Sequence, residues 1–172
     1  MTNGSTDTDK WGGVPADLLS AVERIVAEAG AGAAAGGGVA SRDTALRAVC
    51  ELLHAAAAHY DWVGFYLADE ANRTLTLGPF VGDPTEHVRI PYGRGICGQA
   101  AESGQTFVVQ DVRAEGNYLA CSPRVRSEIV VPVTKDGRFV AELDIDSHVL
   151  SPFTPAEVAM LEQIAAATGR VF

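Results

Sequence analysis

Apolar and polar positions alternate with period two at Trp62 to Leu67, Thr74 to Leu77, Glu128 to Thr134 and Arg138 to Asp146, which predicts strands in those places. Asp69 to Asn72 reads as the turn of a first hairpin. Lys135, Asp136 and Gly137 form a tighter one, with glycine where positive φ is easy. The period changes to that of a helix from Pro15 to about Ala29, where Leu18, Leu19, Val22, Ile25 and Val26 make the apolar stripe. Ser41 or Asp43 caps a second predicted helix running to about His59. Thr154, Pro155 and Glu157 open a terminal one with a capping box. Gly78 to Arg126 is irregular, with a short helix near Gly98 to Glu102 and a strand at Thr106 to Gln110. Helices outside, antiparallel strands within and a long irregular stretch over one face predict an α+β single-sheet domain.

Residues 1–13 read as disordered and 14–172 as one domain, interrupted by a Gly/Ala-rich connector at 29–40. With 47% hydrophobic residues in 172, the chain can bury a proper core. No apolar run reaches the roughly 18 residues of a membrane span. The N-terminus also lacks the basic start and apolar stretch of a signal peptide, so the expectation is a cytoplasmic protein. A net charge of −9, from 13 Lys+Arg against 22 Asp+Glu, argues against nucleic acid and anionic membrane as partners. It leaves a small ligand open.

One strand sharpens that. From Ala141 to Ser147 the alternation sets Glu142, Asp144 and Asp146 on one face, with Leu143 and Ile145 on the other. Carboxylates spaced about 7 Å apart repel one another, so a pocket lined by them must hold a cation, a metal or a shared proton. The three cysteines are not equivalent. Cys50 lies in an apolar helical stripe and reads as inert core. Cys97, among the glycines of residues 93–98, and Cys121, in a loop-like stretch ended by Pro123, read as exposed, usable thiols.

Five segments, Asp61 to Tyr66, Leu77 to Phe80, Arg89 to Gly98, Ser127 to Pro132 and Leu143 to Ser147, together resemble the GAF-domain enzymes that reduce free methionine-(R)-sulfoxide. The resemblance runs in order from about residue 41 to the C-terminus. It implies a GAF fold: about six antiparallel strands, helices on one face and a loop-covered pocket on the other. It also implies frequent homodimers, and thiol chemistry regenerated by a thioredoxin-type reductant without a cofactor. The family's nucleophile falls on Cys121 and a resolving cysteine on Cys97. Its substrate-holding residues fall on Trp62, Tyr66, Glu128, Asp144 and Asp146, and Glu128 is also a candidate proton donor. Two positions depart from the pattern. His87 stands where the family usually has a third cysteine, and Glu142 where it more often has an apolar residue.

The departures support a second reading. His87, Cys97, Cys121 and Glu142 are a His/Cys/Cys/Glu set of the kind that binds zinc, iron or copper, for redox or other chemistry on a small molecule. A third reading is a non-catalytic GAF sensor of a small ligand. Beside these, His54 and His59 on the second helix read as structural or exposed residues, and His148, following the acid strand, as a loop residue that could approach the pocket.

Overall fold

The computed structural model describes residues 17–32, 38–119 and 122–172. Ten regular elements follow one another: helices α1 (Leu18–Gly32) and α2 (Gly38–Ala56), strands β1 (Trp62–Asp69), β2 (Thr74–Val81) and β3 (Arg89–Pro91), helix α3 (Gly95–Ser103), strands β4 (Phe107–Val109), β5 (Ser127–Lys135) and β6 (Arg138–Ser147), and helix α4 (Pro155–Thr168). The strands form one antiparallel sheet in the order β3-β2-β1-β6-β5-β4. This is the α+β, six-stranded arrangement that the sequence implies. Strands β1 and β6 lie at its centre, so the acid-bearing strand is in the middle of the sheet rather than at a solvated edge.

Period two then divides the side chains between two cores. Val63 and Phe65 of β1, Ile129, Val131 and Val133 of β5, and Ala141, Leu143 and Ile145 of β6 pack under α1, α2 and α4. Trp62, Tyr66 and Val130 face the other way. They meet Ile96, Cys97 and Ala100 of α3, together with Ile90, Val109, Val112 and Val125. Helix α2 covers β1 and β2, α4 covers β5, and α1 lies across α2 and α4.

Local signals are realised closely where they are strong. Thr154 Oγ1 accepts from Glu157 N at 3.2 Å and Thr154 N donates to Glu157 Oε2 at 2.9 Å, the reciprocal capping box, with Pro155 at the first helical position. At the β5–β6 turn Asp136 and Gly137 both have positive φ, 51° and 76°, as a two-residue hairpin loop requires.

The Gly/Ala segment differs from expectation. Helix α1 continues to Gly32 and α2 already begins at Gly38, so the connector expected over 29–40 is helical at both ends, and residues 33–37 lie outside the described residues. Ser41 is therefore inside α2 rather than capping it. Its hydroxyl donates to Ala29 O at 2.8 Å, satisfying one of the end carbonyls of α1 and stitching the two helices together. Helix α2 stops at Ala56, before His59, because His59 and Tyr60 turn away to Glu157. The expected disordered residues 1–13 and the helix-opening Pro15 lie outside the described residues. No helix among the described residues is long and apolar enough to cross a membrane.

Candidate functional site

Register aligns the site. On the α3 side of the sheet, Asp146 stands between Trp62 and Glu128, Asp144 between Gly64 and Val130, and Glu142 between Tyr66 and Pro132. Glu128, Glu142, Asp144 and Asp146 are all buried, none more than 2% exposed. Four carboxyl groups thus share one covered face, and the protein leaves them short of partners. Neither oxygen of Glu142 has a hydrogen-bond partner of ordinary geometry, nor has Asp144 Oδ1 or Asp146 Oδ1.

Burial and mutual repulsion set their protonation. Burial pushes Asp144 up to about 7, against the Cys97 thiol, which pulls the other way. The Asp146 carboxyl is held well above the usual carboxylate range by burial first and by the charges of Asp144 and Asp61 next. For Glu128 the causes are burial, then the charges of Asp144, Asp146 and Glu142. For Glu142 they are burial and the Asp144 charge, with the Cys97 thiol opposing without offsetting them. Across the face, burial and the neighbouring acid charges favour the protonated form over the carboxylate.

Cys97 meets this face from α3. Its Sγ lies 3.4 Å from Asp144 Oδ2 and 3.7 Å from Glu128 Oε1. The thiol is 4% exposed and helical, which corrects the expectation of an exposed loop cysteine. Glycine is the cause. A Cβ at Gly98 would come within 2.5 Å of Pro91 O, so only glycine lets α3 press this closely against the neighbouring chain. Cys50 is inert core as expected: fully buried, its Sγ 3.4 Å from Pro79 O, its thiol pushed up to about 12 by burial.

The aromatics wall one side. Trp62 stacks on Phe80 with centroids 5.4 Å apart, and Trp62 Nε1 donates to Asp83 O at 3.1 Å. Tyr66 Oη donates to His87 O at 2.9 Å. Both polar tips thus hold the Asp83–His87 loop down. Sequence reasoning missed Gly64, which sits between them on the same face. A Cβ there would lie 2.2 Å from the Trp62 ring, so the indole lies across the strand only because Gly64 has no side chain. The signal was available, as a glycine at the period-two position between two aromatics.

Asn117 was also missed. Its Oδ1 accepts from Gly95 N at 3.2 Å and its Nδ2 donates to Gly93 O at 2.9 Å, so it caps α3 from outside. The cap brings Leu119 beside Gly95, and Leu119 lines a small cavity with Cys97 and Glu128. Cys121 lies outside the described residues. Ser122 lines a second cavity, of about 290 Å³, with Trp62, Asp146, Asp61, His54 and His148. Across that cavity Arg124 pairs with Asp83. His148, beside the cavity, has its Nδ1 2.9 Å from Asp61 Oδ1, and its backbone N–H donates to Asp61 Oδ2 at 2.7 Å. His59 pairs with the buried Glu157 at 2.7 Å, the structural role expected of it.

Of the His87, Cys97, Cys121 and Glu142 set, the fold does not assemble a metal-ligating cluster among the described residues. The group whose donor atoms lie within 4.8 Å of one another is Cys97, Glu128 and Asp144. His87 sits on the loop that Tyr66 holds, and Glu142 occupies the next period-two position beyond Asp144.

The GAF domain family model matches residues 41–171. Protein YtsP of Bacillus subtilis is 43% identical over 114 residues, 66% of this chain and 69% of the relative. The free methionine-R-sulfoxide reductase of Escherichia coli is 38% identical over 120 residues, 70% of this chain and 71% of the relative. Among solved structures, the free methionine-R-sulfoxide reductase of Neisseria meningitidis in complex with its substrate superimposes with a TM-score of 0.79 at 37% identity, covering 90% of this chain and 86% of the other.

Proposed function

The chain belongs to the GAF domain family, and from that premise we propose that it is an oxidoreductase that reduces free methionine-(R)-sulfoxide to methionine with its own thiols. The carrying observation is the buried face on which Glu128, Asp144 and Asp146 stand beside the Trp62 indole and the Cys97 thiol. An acid face alone would take any cation. An acid face, an aromatic wall and a thiol together suit an amino acid whose far end carries oxidised sulfur. The similarity to the Escherichia coli and Neisseria meningitidis proteins supports the same reading.

The ligand ammonium is held between Asp144 and Asp146, whose carboxyls burial pushes upward and whose ionised forms its charge favours. Trp62 and Tyr66 enclose the methyl-sulfoxide end. Glu128, protonated at neutral pH, supplies a proton to the sulfoxide oxygen. Cys121 is the nucleophile. Its thiolate attacks the sulfoxide sulfur, the S–O bond breaks, methionine leaves, and Cys121 retains the oxygen as a sulfenic acid. The Cys97 thiol then attacks that sulfur, water departs, and a disulfide joins the two cysteines. A dithiol reductant of thioredoxin type returns both to thiols.

Single-turnover measurements with a thioredoxin-type reductant test these roles. Cys121→Ser loses turnover by at least about 10³-fold, as removal of a nucleophile does. Cys97→Ser forms one methionine per chain and stalls. Sustained turnover by Cys121→Ser would overturn the assignment.

A further inference from the structure

Beyond its service to the sulfoxide, we infer that the Cys97–Glu128–Asp144 group is a zinc site. The donor geometry carries this. Zinc binds thiolate sulfur at about 2.3 Å and carboxylate oxygen at about 2.0–2.2 Å, so tetrahedral angles place sulfur and oxygen ligands about 3.5 Å apart. The Cys97 Sγ separations from Asp144 Oδ2 and Glu128 Oε1 are 3.4 and 3.7 Å. Both sulfur–oxygen pairs therefore stand at the spacing one cation prefers, and all three donor atoms lie within 4.8 Å of one another. A chance cluster of surface acids has no such spacing, and this one is not at the surface: the three side chains are 0–4% exposed.

The unpartnered oxygens are a second observation. Asp144 Oδ1 and Asp146 Oδ1 lie buried on the same face without hydrogen bonds, and Asp146 stands directly opposite Glu128 in the β5–β6 register. The face carries more buried acceptor capacity than its single thiol answers, which favours a divalent ion. Three protein ligands, one soft and two hard, leave the fourth tetrahedral position to water, the pattern of open zinc sites.

On binding, the Cys97 S–H bond and the O–H bonds of whichever of Glu128 and Asp144 are protonated break, those protons go to the buffer, and zinc–sulfur and zinc–oxygen bonds form with no change of oxidation state. Where the reductase reading holds, a metal-bound Cys97 cannot close the disulfide, and the ion takes Asp144 from the ligand ammonium and Glu128 from the sulfoxide oxygen. Zinc and free methionine sulfoxide then exclude one another.

The test is titration of reduced, chelator-stripped protein with zinc chloride against a chromophoric chelator. Wild-type protein takes up one ion per chain. Cys97→Ser and Asp144→Asn, both close in shape to the native residues, weaken it at least about 100-fold while circular dichroism shows an intact fold. Cys50→Ser and Cys121→Ser leave it unchanged. Cobalt(II) in place of zinc gives a thiolate-to-metal charge-transfer band that vanishes in Cys97→Ser, a signature no merely structural role of Cys97 produces. Absence of uptake by wild-type protein, or uptake that survives Cys97→Ser, or uptake lost in Cys121→Ser, overturns the site. Because binding is read directly, these outcomes are independent of sulfoxide reduction, which is assayed separately in chelator-containing buffer.

Discussion

Glu142 is fully buried, its oxygens have no hydrogen-bond partner of ordinary geometry, and burial with the Asp144 charge holds its carboxyl well above its ordinary 4.5. Such a group is protonated when folded and ionised when unfolded at neutral pH. The folded state then binds more protons than the unfolded one, so stability falls as pH rises from the unfolded value through the raised folded one. Glu128, Asp144 and Asp146 act in the same direction. Urea denaturation is expected to show the protein losing stability from pH 5 to pH 8, by up to about 1.4 kcal/mol per pH unit for each group that differs fully. Glu142→Leu removes one contributor and raises stability by about 1–3 kcal/mol at pH 8, a gain that shrinks towards pH 5. An unchanged or lowered urea midpoint at pH 8 would contradict this. The acid face itself was legible, because in a strand the face of each residue follows from parity. The burial of Cys97 was not, since it depends on how closely Gly98 lets α3 approach Pro91 O. That distance exists only after folding.

Elements closed by local chemistry were equally legible. The capping box of α4 and the β5–β6 hairpin depend on residues within three positions of one another, and both appear where the sequence puts them. Thr154→Ala is expected to cost about 1 kcal/mol in chemical denaturation. Glu157→Ala costs more, about 3–5 kcal/mol, because that carboxylate also meets His59 Nε2 at 2.7 Å and Tyr60 Oη at 3.3 Å. Equal costs would deny Glu157 its tertiary role. The β3 strand and the full length of α3 were hidden in the irregular stretch, for a different reason. Three residues of β3 are too few to show a period, and α3 begins at a glycine with φ 67°, capped by the distant Asn117 rather than by its own N-cap side chain. Across β1, Gly64→Ala is expected to drive the Trp62 indole off the strand, since the added carbon would stand 2.2 Å from the ring. Ligand affinity then falls at least about 10-fold by calorimetry while the fold persists, and an unaltered affinity would detach Trp62 from the site.

For the molecule as a whole, the sheet joins two unlike halves: an apolar core under three helices, and an acid-bearing core under α3. The second half buries four carboxyl groups, for which the proposed ligand ammonium supplies a positive partner. A ligand that supplies it stabilises the whole fold. Free methionine at about 100 times its dissociation constant is expected to raise Tm by roughly 5–10 °C. N-acetylmethionine, which lacks the ammonium, should leave Tm unchanged. Equal shifts from both would assign the acid face some other work. A zwitterionic sulfoxide meeting a thiol is reached most directly by one measurement. Reduced wild-type protein is incubated with racemic free methionine sulfoxide under saturating dithiothreitol in chelator-containing buffer, and the two sulfur epimers are followed by chromatography. The R epimer is expected to disappear with matching formation of methionine while the S epimer persists. An R epimer left untouched, or consumed no faster than by dithiothreitol alone, would contradict the proposed reduction.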